Sequence, residues 1–178
     1  MQIRSQKLIP PIREGKYFVL NETVGGDAPK DFIKLYRYGE SRRYPRRKWS
    51  AFIAKVGHKW YPNESVTEHL LTRIGESFGL SIAESCLMRI DGQIRFLSKY
   101  FLNEKEHLIH GAQIFSSYLD DDEFVATVER ENQSHELFTF QFVEEAIQGR
   151  YPKVADNLLV DFVKMLAYDA IVGNNDRH

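Results

Sequence analysis

The chain has 178 residues, of which 43% are hydrophobic and 28% are charged, and its formal net charge at pH 7 is −1. That length suits one domain or two small lobes, and the balanced charge provides no overall basic field for nucleic acid. A single cysteine, Cys86, excludes an intrachain disulfide framework and is typical of a reducing, cytoplasmic compartment. We find no apolar stretch long enough for a membrane span and no secretory signal.

The first part of the chain is predicted to be rich in β-strands. Short apolar or alternating runs predict strands at residues 17–20, 32–36, 49–56, 85–90 and 93–101. The last two runs flank Asp91-Gly92, and Asp-Gly between alternating runs is the strongest short-range signal for a hairpin.

Two adjacent glycines, Gly25 and Gly26, occupy the turn between the first two strands. Such a pair lets the backbone approach a phosphate closely and direct its N–H groups toward it. An ordinary hairpin loop is the alternative, because glycine pairs are common turn residues.

A cation-rich run follows the second strand, with five Arg or Lys residues between Arg42 and Lys48. It either holds an acidic partner or a phosphate, or it forms a solvated loop between strands. The balanced net charge favours the solvated loop.

Lys55 lies near the end of the most strongly apolar strand, between Ala54 and Val56. A lysine in that setting either extends to solvent or meets a counter-charge. The predicted helix that follows contains Glu68, which makes a Lys55–Glu68 ion pair the candidate arrangement. Two separately solvated charges are the alternative.

That helix is predicted to begin at Asn63 and to end at Gly79, because Asn caps helix starts and Gly ends them. Four apolar residues spaced by one turn predict its buried face: Val66, Leu70, Ile74 and Phe78. Glu68 lies at the margin of that face.

The second part of the chain, after a polar connector at 103–106, is predicted to be helical. Helices are expected at 109–119, after the acidic triplet 121–123, at 136–148 and at 156–172. The last reads as a buried apolar helix that leads through Gly173 into Asn-Asn-Asp-Arg-His. Ionisable groups grouped at a helix exit predict the start of a catalytic loop, with Asp176 as its carboxylate.

The order of these features predicts an α+β, protein-kinase-like fold. A β-rich N-lobe with one main helix would span residues 1–102, and the start of a helical, truncated C-lobe would span residues 103–178. Phosphoryl transfer requires positioned phosphates, neutralised charge and an oriented hydroxyl. The glycine turn would cover the phosphates, Lys55 held by Glu68 would contact them, and Asp176 would accept the hydroxyl proton.

Several motifs carry a resemblance to the HipA-like serine/threonine kinases and, more distantly, to the phosphatidylinositol kinases. They are Val-Gly-Gly-Asp-Ala-Pro-Lys at 24–30, Ala-Phe-Ile-Ala-Lys-Val at 51–56, Thr-Glu-His-Leu-Leu at 67–71 with Gly-Leu at 79–80, Phe-Leu-Ser-Lys-Tyr-Phe at 96–101 and Gly-Asn-Asn-Asp-Arg-His at 173–178. The sequence departs from the family pattern at Asp27, within the glycine turn, and at Thr67, where Asn is usual.

The resemblance implies a bacterial cytoplasmic kinase that uses ATP and Mg²⁺, phosphorylates Ser or Thr of a protein substrate, and is often the toxin of a toxin–antitoxin pair. It implies catalytic roles for Asp176, Lys55 and Glu68. It implies nucleotide contacts for Gly25, Gly26, Lys30, Lys55, Lys99 and Phe101. No metal ligand is assigned, because the Asn and Asp that hold metal in such kinases would follow His178.

The missing Asn and Asp lead us to expect that the chain alone is a poor kinase and that a second chain or segment completes the C-lobe. An antitoxin is a further expected partner. The alternative function is a catalytically inactive, pseudokinase-like or split-kinase module that acts through a partner. A nucleic-acid binder using Arg42 to Lys48 is disfavoured by the balanced charge.

Overall fold

The computed structural model describes residues 8–20, 30–36, 45–57, 63–103, 105–131 and 133–173. Its strands are β1 (Tyr17–Leu20), β2 (Lys30–Leu35), β3 (Ser50–Val56), β4 (Ser85–Ile90) and β5 (Gln93–Lys99). Its helices are α1 (Glu64–Ser77), α2 (Gly111–Leu119), α3 (Asp122–Arg130), α4 (Ser134–Leu137), α5 (Phe140–Arg150) and α6 (Ala155–Val172). A 3₁₀ turn, Arg46–Lys48, precedes β3.

The strands form one antiparallel sheet in the order β1-β2-β3-β5-β4. One face of the sheet carries the core, whose members are at most 1% exposed: Ile33, Leu35, Phe52, Ala54, Ile90 and Leu97. Because side chains alternate along a strand, Lys55 lies on the opposite face from Phe52 and Ala54. Helix α1 packs on that opposite face, against β4 and β5.

The segment before β1 covers the free edge of β4. The Ile12 amide donates to the Arg89 carbonyl at 2.9 Å, and the Arg89 amide donates to the Pro10 carbonyl at 3.0 Å. The Tyr17 hydroxyl then donates to the Asp91 carboxylate at 3.2 Å. The backbone groups of Arg89, at the edge of β4, are therefore paired rather than open to another chain.

The predicted buried stripe of α1 is wrong, although the helix itself is present. Leu70 is 57% exposed and Phe78 60% exposed, whereas Ser65 and Gly75 are buried. Small residues let the helix approach the sheet closely, so Ser65 and Gly75 define the packing face. Glu68 falls on that same face, one turn after Ser65, and is thereby directed toward the sheet.

The helix predicted at 136–148 is two helices in the structure. Helix α4 ends at Leu137, and α5 begins at Phe140 with Thr139 as its N-cap. The Thr139 hydroxyl accepts a hydrogen bond from the Phe142 amide at 3.3 Å. This capping bond favours a new helix start over continuation of the old one.

The acidic triplet 121–123 marks a helix start, as the sequence predicts. Asp121 caps α3, and its carboxylate accepts a hydrogen bond from the Phe124 amide at 2.9 Å. Asp122 and Glu123 follow in the first turn, where negative charge complements the helix dipole.

Helix α6 has the predicted extent, but it is not the buried helix that its apolar composition predicts. Within it only Ala155 and Asp169 are buried, and Ile171 is 68% exposed. One side of α6 packs on α5, where Ala155, Leu159 and Phe162 meet Val143 and Ile147. Composition indicated an apolar helix, but it could not show how many sides are covered.

The chain divides into two compact units, residues 1–101 and residues 102–178. The first holds the sheet and α1, and the second holds α2 to α6. None of the helices among the described residues combines the length and the apolar character needed to cross a membrane.

Candidate functional site

An ion pair between β3 and α1 is the centre of the candidate site. Lys55 Nζ lies 2.9 Å from both Glu68 Oε1 and Glu68 Oε2. The two side chains are 35% and 27% exposed, so the pair is shielded yet accessible to a ligand. Lys55 Nζ also lies 5.9 Å from the centre of the Phe96 ring. The contact predicted between Lys55 and Glu68 is therefore present, and their catalytic roles stay predictions.

A second lysine lies directly across the sheet from Lys55. The β2–β3 register places Lys30 opposite Lys55, so the two side chains share one face. Like charges directly opposite each other are destabilising in a sheet. Glu68 compensates one ammonium group, and the Lys30 side chain makes no ion pair or hydrogen bond among the described residues. Near Lys55 the described residues thus leave a surplus positive charge.

Lys99 lies on the opposite face of the sheet from this pair. Its register partner is Phe52, a core residue, whereas the partner of Lys55 is Phe96. Lys99 Nζ lies 3.3 Å from Glu84 Oε2, and the two side chains are 44% and 47% exposed. Strand alternation separates Lys99 from Lys55, so its predicted nucleotide contact is not favoured by this geometry.

Aromatic and aliphatic side chains continue the Lys55 face toward the end of β5. Ile53 shares that face, and its register partner is Phe32. The Tyr100 ring meets the Phe32 ring edge-on, with centroids 4.9 Å apart. Phe101 is 64% exposed and its ring centroid lies 6.2 Å from that of Tyr100.

Sequence reasoning identified Phe101 but missed Ile53, Phe32 and Tyr100. The available signal for Ile53 was strand alternation, which places residues 53 and 55 on the same face of the sheet. The contact between Phe32 and Tyr100 depends on strand register, which no local pattern encodes.

His69 connects α1 to β4 beside the ion pair. Its Nδ1 lies 2.9 Å from Ser85 Oγ. Burial lowers the pKa of His69 below the ordinary value of 6.5, and the nearby Arg73 guanidinium lowers it further, against an opposing effect of Glu76. Neutral His69 thus helps to hold α1, and with it Glu68, against the sheet.

This lowered pKa makes stability depend on pH. As the pH falls, the His69 imidazole binds a proton at a higher pH in the unfolded state than in the folded state. The free energy of unfolding should therefore fall as the pH drops below about 6.5 and through the folded-state pKa. We expect His69→Leu to remove that slope and, near pH 8, to cost about 1 kcal/mol through the lost hydrogen bond. Urea denaturation at several pH values measures both effects. His107→Leu, at an exposed histidine, is the control; an unchanged slope in His69→Leu would contradict the assignment.

Three predicted site residues lie outside the described residues: Gly25, Gly26 and Asp176. The structure does describe the end of α6, where Gly173 adopts a left-handed conformation with φ 68° and ψ 31° and its amide donates to the Asp169 carbonyl. Among the described residues, no group of three His, Cys, Asp or Glu side chains is arranged to hold a metal ion.

Comparison with known proteins identifies the fold. The chain is similar to the crystal structure of the proinflammatory kinase CtkA from Helicobacter pylori, with a TM-score of 0.62 and 21% sequence identity. The match covers 90% of this chain and 49% of the CtkA chain, so this chain spans about half the length of that kinase. No protein-family model matches the chain, and no curated protein matches it.

The likeness to CtkA establishes the fold and no more at this level of identity. The chain has the predicted α+β, kinase-like fold, in which a five-stranded antiparallel sheet is followed by helices. The pair of Lys55 and Glu68, on the third strand and the first helix, lies in this fold at the positions that the sequence singled out.

Proposed function

We propose that this chain forms the nucleotide-binding part of a HipA-like kinase that transfers the γ-phosphoryl group of ATP to a Ser or Thr hydroxyl of a protein. The observation that carries the proposal is the bidentate contact of Lys55 with Glu68, with Lys30 directly opposite Lys55. These three charged side chains lie in a kinase-like fold, and their arrangement suits a polyphosphate.

The fit to phosphate follows from the count of charges. Glu68 orients Lys55 and compensates one of two neighbouring ammonium groups, so the described residues of the site keep one positive charge. An anion placed between Lys30 and Lys55 would relieve their mutual repulsion and accept charge-assisted hydrogen bonds from both. Lysine is well suited to this role because its ammonium acts as a compact point charge.

The apolar part of the same face is suited to the adenine base of a nucleotide. Ile53 and the half-exposed Tyr100 offer apolar surface on the side of Lys55 that leads toward Phe101. An adenine placed there would bury apolar area against Ile53 and stack on an aromatic ring, while its phosphates point toward the lysines.

The described residues do not fit Mg²⁺, because no three of their carboxylate, histidine or thiol groups are arranged to hold a metal ion. We therefore derive no catalytic step through a metal ion. The family resemblance would place the metal ligands after His178, and it would assign proton acceptance from the substrate hydroxyl to Asp176.

The resemblance also supplies the biological part of the proposal. A HipA-like kinase would act in the cytoplasm on a protein substrate, and an antitoxin would restrain it. Its C-lobe would be completed by a second chain or segment.

Isothermal titration of the chain with ATP, with and without Mg²⁺, tests the proposal. We expect saturable binding of ATP that exceeds adenosine binding by at least tenfold, because charge-assisted hydrogen bonds to phosphate contribute about 1.5–3 kcal/mol each. Tripolyphosphate is the matched control for the charges alone. Equal affinity for ATP and adenosine, or no binding of either, would instead favour a binding module without nucleotide chemistry.

A further inference from the structure

The balanced net charge of the chain conceals a strong asymmetry between its two units. Residues 1–101 contain eighteen Lys and Arg against ten Asp and Glu, a formal charge of +8. Residues 102–178 contain six against fifteen, a formal charge of −9, and the two sums give the overall −1. Charge asymmetry of this size between halves of a chain is typical of an interaction surface.

Within the first unit, several cations are matched by acids. Ion pairs join Lys55 to Glu68, Arg73 to Glu76, Arg95 to Asp31 and Lys99 to Glu84. Two cations of the 3₁₀ turn before β3 differ, since Arg46 and Arg47 are exposed and form no side-chain ion pair or hydrogen bond within the described part of the chain.

These cations belong to one local surface, which we name the basic turn surface. Its members are Lys16, Lys34, Arg46, Arg47 and Lys48. Lys34 Nζ donates to the Arg47 carbonyl at 2.5 Å and so ties the turn to β2. Lys16 Nζ lies 5.0 Å from the centre of the Tyr36 ring, and the Tyr36 amide donates to the Lys16 carbonyl.

The turn is held in place before any partner arrives. The Lys48 amide donates to the Pro45 carbonyl at 2.8 Å, and the Trp49 amide donates to the Arg46 carbonyl at 3.1 Å. Trp49 then packs against Phe18 and Tyr36, with ring centroids 6.0 and 5.6 Å apart. A preorganised backbone reduces the entropy lost when a ligand binds.

We propose that the basic turn surface docks an acidic segment of a partner protein. Arginine guanidinium groups form bidentate bonds with carboxylates, and two adjacent exposed arginines can engage two acidic side chains at once. The interaction does not involve Lys55 or the nucleotide, so it stands independently of phosphotransfer.

Three observations favour an acidic protein segment over a nucleic acid. The 3₁₀ turn has three residues, about 6 Å of rise, which is short beside a site that contacts 6–10 phosphates. The Trp49 ring is half-buried between two other rings, and its indole N–H is buried, so it offers no open stacking platform. The net charge of the whole chain, −1, provides no overall attraction for a long polyanion, whereas a short segment responds mainly to the charges within a Debye length, about 8–10 Å.

Fluorescence anisotropy with a labelled octaglutamate peptide tests the docking surface in the full chain, without nucleotide. We expect binding at about 50 mM salt that weakens at about 300 mM, because exposed charges are screened. We expect Arg46→Ala/Arg47→Ala to weaken binding by about tenfold. Arg89→Ala/Lys153→Ala is the matched control, since it removes two exposed cations elsewhere and should change binding by less than about twofold.

Two outcomes would overturn the proposal. One is an equal loss of peptide affinity in the two double variants, because the loss would then depend on the net charge of the chain and not on the position of the two arginines. The other is tighter binding of a single-stranded DNA oligonucleotide than of the peptide at the same salt, which would make nucleic acid the partner class. A labelled octaglutamine peptide, which should not bind, controls for contacts with the peptide backbone.

Discussion

Replacing Lys55 with methionine is expected to weaken ATP binding by at least tenfold and to slow phosphotransfer by about 10²-fold or more. Methionine keeps the length and apolar stem of the side chain but removes the ammonium group. The variant would leave Glu68 without its partner, so the carboxylate would add negative charge where a polyphosphate is proposed to bind. The loss should therefore exceed that of one hydrogen bond.

Substitution of two other lysines of the sheet, Lys30 and Lys99, separates this explanation from a general effect of charge. Lys30→Met should weaken ATP binding by a smaller factor, about threefold to tenfold, because Lys30 shares the face of Lys55 but no carboxylate of the described residues orients it. Lys99→Met should leave the affinity unchanged, because Lys99 lies on the other face and pairs with Glu84. Calorimetric titration of the three variants measures all three effects. A larger loss of ATP affinity in Lys99→Met than in Lys55→Met would contradict the proposal, because it would indicate that the nucleotide binds on the face of the sheet that carries Lys99.

Much of the first unit could be predicted from local patterns in the sequence. Runs with a period of two marked the strands, and Asp91-Gly92 marked the β4–β5 hairpin, where Asp91 and Gly92 both adopt positive φ. The Lys55–Glu68 contact was predicted because an ammonium group in an apolar strand requires a counter-charge and the next helix offered one.

The features that could not be predicted depend on tertiary packing. The position of Lys30 opposite Lys55 depends on register, which a one-residue slip would reverse. The buried face of α1 is formed by Ser65 and Gly75, because close approach to the sheet outweighed burial of the larger apolar side chains. The charge asymmetry, by contrast, is contained in the sequence: the whole-chain net charge of −1 conceals it, and separate sums over the predicted lobes 1–102 and 103–178 reveal it.

Replacing Asp176 with asparagine is expected to lower the rate of phosphotransfer by about 10²–10⁴-fold, the usual contribution of a general base, without a change in ATP affinity. Asparagine preserves the shape of the side chain but cannot accept the hydroxyl proton, so a selective loss of rate would identify the carboxylate as the base. Transfer of radiolabel should be measured with the chain alone and with a segment that supplies the metal-binding Asn and Asp.

Asp161→Asn is the matched control for this substitution. Asp161 is an exposed carboxylate in α6 that pairs with Lys164 at 3.2 Å, so its loss should leave both rate and affinity nearly unchanged. The separation of the two effects matters because Lys55 and Asp176 are assigned different tasks. If Lys55→Met lowers affinity and rate while Asp176→Asn lowers the rate alone, Lys55 serves phosphate binding and Asp176 serves proton transfer. Activity that survives Asp176→Asn unchanged would remove Asp176 from the mechanism.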